Sequence, residues 1–377
     1  MTEQISVHPS DIKDSYILTR VLNEKQAETD IYDVPFCPLY PFNGRKVKLV
    51  VKMHEGAGLA PFKADNAGTP VVPATGQLQE IYMELALIAE KDTMEASTLI
   101  DLESMDDRVA RLAAEDVLEK AMRLQQRNIN RTRWMAYSAA KDALTITYGD
   151  VSLSVDFDLN GDGQNSSRFG SSHTPTYSSG LDGTQWNDAS ADIIEDIHTC
   201  AKLIGDDLGI DETDVVMHVN SDTYRNIWKN TAIQGYLSSS SPRVTKPQRE
   251  EMATICEIAD IVIDNSFYFT YGAVGTSTKT KFIPEGYALF FPRGYQYKGT
   301  PIMEMYDGLV ARVVNGQIQV ARNPGMLAEM YVNEEQVAQN IRVQTARLPV
   351  VNHPAGIVYA YVYARTATCR IRRTRRL

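Results

Sequence analysis

Between Asp106 and Lys141 the chain runs for thirty-six residues without a proline. Met105, Val109, Leu112, Val117, Ala121 and Leu124 recur there at gaps near 3.6, the spacing of one helix face. At 1.5 Å per residue such a helix would be about 54 Å long, against a mean helix of about 11–12 residues in globular proteins. Its other face carries Arg108, Arg111, Glu115, Glu119, Lys120 and Arg123, which suits a solvated or subunit-facing side.

What precedes the helix is extended. Residues 1–33 are mostly polar, with a short helix expected near Tyr16 to Glu28. The three prolines of VPFCPLYPF, residues 34–42, then favour an extended path. KVKLVVK, residues 46–52, alternates charged and apolar positions as a strand does, and Ile81, Met83, Leu85 and Leu87 repeat at period two. Between them residues 54–76 carry Gly56, Gly58, Pro61, Gly68, Pro70, Pro73 and Gly76. Strand, long Gly/Pro excursion, strand describes a projecting two-stranded loop, and a projection of that length has something to touch.

After the helix, ALTITYG and VSLSVDF flank Gly149-Asp150 and read as a hairpin. The polar tract 160–180 reads as a linker or flexible loop. A second helix is predicted from Trp186, with Ile193, Ile197, Ala201, Ile204 and Leu208 as its buried stripe and Gly209 just past its end. The order that follows is strand 215–220, helix from Ser221 to about Leu237, helix from Pro247 to about Ala259 and strand 261–264. Strands at 266–271 and 287–291, a hairpin over 309–321 turning on Asn315-Gly316, and two more strands in NIRVQTARLPVV and GIVYAYVYA complete the chain. The fold class is α+β, with a compact middle domain inserted between two parts of an elongated one.

The chain's 377 residues are 43% hydrophobic, enough for a sizeable core and for two domains with extensions. Lys and Arg total 38 against 48 Asp and Glu, for a formal net charge of -10. That balance argues against a dedicated nucleic-acid binder. Cys37, Cys200, Cys256 and Cys369 lie far apart with no CxxC pair and read as reduced thiols. The polar N-terminus lacks a signal-peptide core, and no stretch approaches the roughly 18 apolar residues of a membrane span. The chain reads as a soluble protein made in the cytosol.

Catalytic signatures are missing. The six histidines, at 8, 54, 173, 198, 218 and 353, form no HExxH or other ligand spacing, and each is assigned a polar or surface role. There is no GxxxxGK loop and no GxSxG elbow. Ser138-Ala139-Ala140-Lys141 matches SxxK but stands without SDN or KTG partners. Asp158, Asn160 and Asp162, with Gly163, match the first half of a calcium loop. Its twelfth position is Phe169, where a bidentate Glu is required, so an Asp/Asn/Gly-rich turn is preferred over a metal site. No cofactor is expected. One charge run remains, RIRRTRR at residues 370–376. Its Arg370, Arg372, Arg373, Arg375 and Arg376 suit pairing with nucleic-acid phosphate or a neighbour's acidic patch, and a solvated tail is the equal alternative.

This order of parts resembles the lambda-like E family of phage major capsid proteins, which have the HK-97-type fold. The phrases that carry the resemblance are Val34-Pro35-Phe36 through KLVVK, Gly58-Leu59-Ala60-Pro61-Phe62 and Ala67-Gly68-Thr69-Pro70 for the passage from arm to loop. Asp116-Val117-Leu118 to Tyr137-Ser138-Ala139 resembles the spine helix, and FIPEGYALFFPRG with the final strands resembles the end of the axial domain and the peripheral return. The resemblance implies an N-terminal arm over 1–42 and an extended loop over 43–80. It implies a peripheral domain with spine helix, hairpin and linker over 81–184, an axial domain over 185–325, and a return with basic tail over 326–377.

By the same resemblance the chain would assemble with itself into hexamers and pentamers of an icosahedral shell around double-stranded DNA. It would be made in the host cytoplasm and end in the virion, with no membrane partner. A separate scaffolding protein, the portal and a decoration protein are the further partners implied. Some members of the family form Lys-Asn isopeptide links instead, and Lys46, Lys48, Lys52 and Lys63 lie in or near the loop. Three other readings compete: an encapsulin-like nanocompartment shell, a phage tail or baseplate protein, and a calcium-assisted enzyme using residues 158–163.

Overall fold

The computed structural model describes residues 32–52, 78–94, 107–148, 151–156, 173–240, 248–271, 277–314, 317–320, 324–333 and 338–364, together with Ser97, Ile100 and Asp101. Its helices are α1 (Asp107–Ala139), α2 (Ile193–Leu208), α3 (Ser221–Lys229), α4 (Thr231–Ser240) and α5 (Arg249–Ile255). Its strands begin with β1 (Leu39–Pro41), β2 (Lys46–Lys52), β3 (Leu78–Glu84), β4 (Ala86–Met94), β5 (Ala143–Tyr148), β6 (Val151–Asp156) and β7 (Val215–Val219). They continue with β8 (Asp260–Ile263), β9 (Phe267–Tyr271), β10 (Ser277–Lys281), β11 (Tyr287–Pro292), β12 (Gln296–Tyr297) and β13 (Thr300–Pro301). The last are β14 (Met303–Gly308), β15 (Ala311–Val314), β16 (Gln317–Val320), β17 (Leu327–Asn333), β18 (Ala338–Val351) and β19 (Val358–Tyr361).

The chain divides into two compact units. One holds residues 1–139, 144–154 and 303–352, and the other holds 140–143, 155–302 and 353–377.

In the first unit, β18 is the axis of a five-stranded sheet. β4 lies along one side of it in the register Gln339↔Met94 to Arg347↔Ala86. The other side is shared, by β17 from Ala338 to Gln344 and by β14 from Ala346 to Val351, and β1 runs parallel to β14. α1 packs on β18 and β4. Its contact face is narrow and small, made of Ala113, Ala114, Val117, Ala121, Leu124 and Ile129 against Met94, Ala328, Ile341 and Val343. Small residues let the helix backbone approach the sheet, and each fully buried Val, Leu or Ile contributes about 1.5–3 kcal/mol. Polar groups join the same seam. The Asn128 amide donates to the carbonyls of Val343 (3.4 Å) and Ile88 (3.5 Å), and its Oδ1 accepts from Thr345 Oγ1 at 2.7 Å.

In the second unit a four-stranded sheet runs in the order β19-β11-β7-β8. β7, with β11 antiparallel on one side and β8 parallel on the other, is buried along its whole length. A strand covered on both faces reads as an unbroken apolar run, which VVMHV nearly is. α2 buries Ile193, Ile197, Ala201, Ile204 and Leu208, the stripe expected. Asp192 caps its start by accepting from Glu195 N, and Gly209 ends it at φ 67°, a left-handed position that glycine adopts without strain.

Several local expectations are corrected. Helix α2 begins at Ile193 and not at Trp186, because Trp186 is buried and its indole N–H donates to Asp196 Oδ2 at 2.8 Å. The helix expected from Ser221 to Leu237 is two. Asn230 interrupts it, with Nδ2 donating to Ala191 O at 2.6 Å and Oδ1 accepting from Ala232 N at 3.0 Å as a new cap. Leu112 is 61% exposed, and the buried stripe of α1 passes through Ala113 and Ala114 instead. Leu85 separates β3 from β4, and Leu87 consequently faces outward at 52% exposure. The chain re-enters the first unit at Met303, and residues from His353 onward belong to the second unit.

Candidate assembly surfaces

The extended arm-and-loop region begins on a tethered root. Phe36 is fully buried and meets Tyr137 of α1 edge to face at 5.1 Å. Tyr32 donates its hydroxyl to the Cys37 carbonyl at 2.9 Å. From there β2 and β3 pair antiparallel over seven positions, from Lys46↔Glu84 to Lys52↔Leu78. Val47 and Met83 are buried partners at the base, and Arg45 pairs with Glu84 at 2.8 Å. The strands diverge in sequence into residues 53–77, so Gly56, Gly58, Pro61, Gly68 and Pro70 lie outside the described residues. So do residues 1–31, the candidate calcium ligands Asp158, Asn160 and Asp162, and the tail arginines Arg370, Arg372, Arg373, Arg375 and Arg376.

The outer face of α1 is ionic. Asp116 pairs with Lys120 at 2.9 Å and Glu119 with Arg123 at 3.2 Å, both four residues apart, and Arg127 reaches Glu90 on β4 at 2.6 Å. Leu112 stands exposed among these charges. Near β1 the exposed ring of Tyr40 and the ring of Phe42 both lie edge-on to Tyr306, at 5.3 and 5.5 Å.

The second unit presents a further exposed feature. In the β9–β10 ribbon Phe267 and Phe269 are 40% and 49% exposed, and Lys279 Nζ stands 3.5 Å over the Phe267 ring.

The titratable groups in the interior are structural in their geometry. His173 is buried, with one ring nitrogen 2.9 Å from Ile357 O and the other 2.7 Å from Asp207 Oδ2. His218 is buried beside Tyr295, with Nε2 at 2.9 Å from the phenol oxygen, and burial pushes its pKa down to about 4. Both depart from a surface assignment, though both remain polar partners. Burial raises the thiols of Cys37 and Cys256 to about 12 and that of Cys200 higher still. All three are free thiols. Lys141, of the SxxK match, is lowered to about 8 by burial and stands 6.0 Å from the Tyr359 ring. Among the described residues no group of three or more His, Cys, Asp and Glu is placed to hold a metal ion, and no helix is long and apolar enough to cross a membrane.

An extended ribbon, a long helix laid on a sheet and a separate α/β unit are the parts of a subunit that works through its surfaces. The sequence of residues 15–362 matches the phage major capsid protein E family. The chain belongs to that family.

This capsid protein also shares its fold with solved structures. One is a crystal structure described as a capsid protein of a prophage in Escherichia coli CFT073. It is 12% identical, with a TM-score of 0.55 over 92% of this chain and 99% of that one. A phage-related protein from Bordetella bronchiseptica RB50 is 11% identical, with a TM-score of 0.51 over 92% and 96%. No curated protein shows significant sequence similarity to the chain. The α+β class and the HK-97-type capsid fold implied by the resemblance are those of this protein. It is a structural shell protein of the virion, and the tail and nanocompartment readings are not favoured.

Proposed function

We propose that the protein builds hexamers and pentamers of an icosahedral phage head that encloses double-stranded DNA. Family membership over residues 15–362 carries this reading. In it the first unit is the peripheral domain, with α1 as its spine, and the second is the axial domain lining each ring. Residues 43–80 form the extended loop that overlies the next subunit, and residues 1–42 form the arm that runs below or across it. The paired register of β2 and β3 supports this, since it gives the 53–77 excursion a stiff base on the α1 unit. Heterologous ring contacts of this kind close a particle when the rotation closes.

The remaining partners follow from the same reading. Scaffolding comes from a separate protein, and assembly takes place in the host cytoplasm around a portal. A decoration protein reinforces the finished shell. The basic tail, Arg370 to Arg376, meets packaged DNA through phosphate contacts that are blind to sequence.

Negative-stain electron microscopy of the protein, alone and co-expressed with its genomic neighbours, tests the reading. Closed shells with hexameric units are expected. A variant lacking residues 54–76 should stay unassembled, and normal shells from that variant would remove the role given to the loop.

A further inference from the structure

One end of the sheet in the second unit carries a cluster of tyrosines. β19 and β11 pair antiparallel, with Tyr361 opposite Tyr287 and Tyr359 opposite Leu289. The period of two puts Tyr359 and Tyr361 on the same face as Tyr287. Tyr287 and Tyr359 lie 4.8 Å apart between ring centroids and only 8° from parallel. Tyr287 and Tyr361 are as close, at 4.6 Å, but tilted by 32°. Tyr177, whose amide donates to Tyr361 O at 2.7 Å, adds a fourth ring 5.5 Å from that of Tyr361. All four residues are half-buried, so part of each stays open to solvent.

Cross-strand packing accounts for these contacts. The nearly parallel pair permits a reaction as well. A phenol that loses one electron and one proton keeps its unpaired spin in lobes above and below the ring, largely on the oxygen and on the ortho and para carbons. Two rings held parallel turn those lobes toward each other, and two tilted rings do so less well, so the geometry of reaction is already present in the Tyr287–Tyr359 pair. The thiols of Cys37, Cys200 and Cys256, which would otherwise consume an oxidant first, are buried.

We propose that Tyr287 and Tyr359 are an oxidative cross-linking site that closes as a dityrosine within one chain. A peroxidase-type one-electron oxidant, consuming hydrogen peroxide, takes one electron and one proton from each phenol. The two radicals join through a new bond between ortho carbons, and each ortho hydrogen then moves to its ring oxygen and restores the phenol. One peroxide becomes two waters, and two hydrogens in all leave the protein. The bond ties β19 to β11 and so fixes the chain just ahead of its basic tail. Nothing in this step needs a second subunit, which separates it from the Lys-Asn links that join neighbours.

Peroxidase and hydrogen peroxide added to the purified full-length chain test the site. Dityrosine fluorescence should appear in the monomer band of a denaturing gel. Trypsin should then release residues 282–293 joined to residues 348–365, at the summed mass of the two peptides less two hydrogens. Tyr287→Phe and Tyr359→Phe keep the stacked rings and the packing, and each should abolish that joined pair. Tyr361→Phe should leave it intact, because the tilted pair is not the one that couples. In the linked chain the Val358–Tyr361 amides should also exchange their hydrogens more slowly. A link that survives Tyr359→Phe and disappears in Tyr361→Phe overturns the choice of the parallel pair. Coupling only between molecules, coupling at the edge-on pair Tyr40 and Tyr306, or no joined peptides at all overturns the site itself.

Discussion

The guanidinium of Arg347 on β18 donates to Asp307 Oδ2 on β14 at 3.0 Å, with the arginine side chain 2% exposed. Its other terminal nitrogen reaches Thr132 Oγ1 of α1 at 3.3 Å, so one side chain ties two strands and the long helix together. Removing one partner of such a buried pair strands the other charge and costs about 3–5 kcal/mol. Asp307→Ala should therefore lower stability by that amount in urea unfolding. A double replacement of Arg347 and Asp307 by Met and Leu should cost clearly less, and equal losses would show that the charge left behind is not the cause.

His218 gives the second unit a dependence on acid. Burial lowers its pKa to about 4 from 6.5, so the folded protein holds it neutral where the unfolded chain takes up a proton. Its contribution is whole above pH 6.5 and is lost as the pH falls through that range to about 4, a total of about 3 kcal/mol. Stability measured against pH should show this slope, and His218→Gln should flatten it.

The thiols should be silent. Cys37, Cys200 and Cys256 are buried and held protonated, and only the thiolate reacts. A colorimetric thiol reagent at pH 8 should modify no more than one cysteine per native chain and all four in guanidinium.

Gly286 sits at φ 88°, and a Cβ there would overlap the carbonyl oxygen of Tyr363. Gly286→Ala should destabilise by more than about 2 kcal/mol, combining positive-φ strain with overpacking. Gly299 has φ 81° with open space around it, so Gly299→Ala carries the backbone strain alone and should cost less. Thermal unfolding of the pair separates the two effects.

If the tail meets DNA, truncation after Cys369 should reduce the salt dependence of DNA retention. Five arginines on duplex phosphate give a slope of log affinity against log salt of up to about −4.5. An unchanged slope in the truncated protein would assign the tail to a neighbouring subunit or to solvent.

Much of the fold was legible because its signals are local. The spacing of Val117, Ala121 and Leu124 identifies α1, and Gly209 identifies the end of α2. What escaped depends on side-chain contacts beyond the neighbouring turn or strand position. Trp186 has the look of a helix start until its indole finds Asp196, and Asn230 breaks a helix because Ala189 and Ala191 offer carbonyls to its amide. Strands β14 and β17 were not assigned at all. MEMYDG and LAEMYVN place Glu304 and Glu329 inside their runs, and Glu329 is tolerated at 5% exposure only because Arg342 pairs with it. The edge position of β8 has no sequence signal, since it arises only from the order in which four distant strands assemble. The loop, tail and metal candidates fall outside the described residues, where sequence remains their only support.

The central place of β18 bears on how the protein is made. α1 ends at Ala139, yet β18, one of the two strands it packs against, begins at Ala338, some two hundred residues later. At about 5–20 residues per second a ribosome needs roughly 10–40 s to cover that interval. For that time the apolar face of α1 has only β4 of its sheet beside it, while the second unit emerges with its described strands other than β19. The first unit must wait for β18, and the second completes its sheet only when β19 follows. During a burst of synthesis, many nascent chains therefore share a stage in which this face still lacks its main strand.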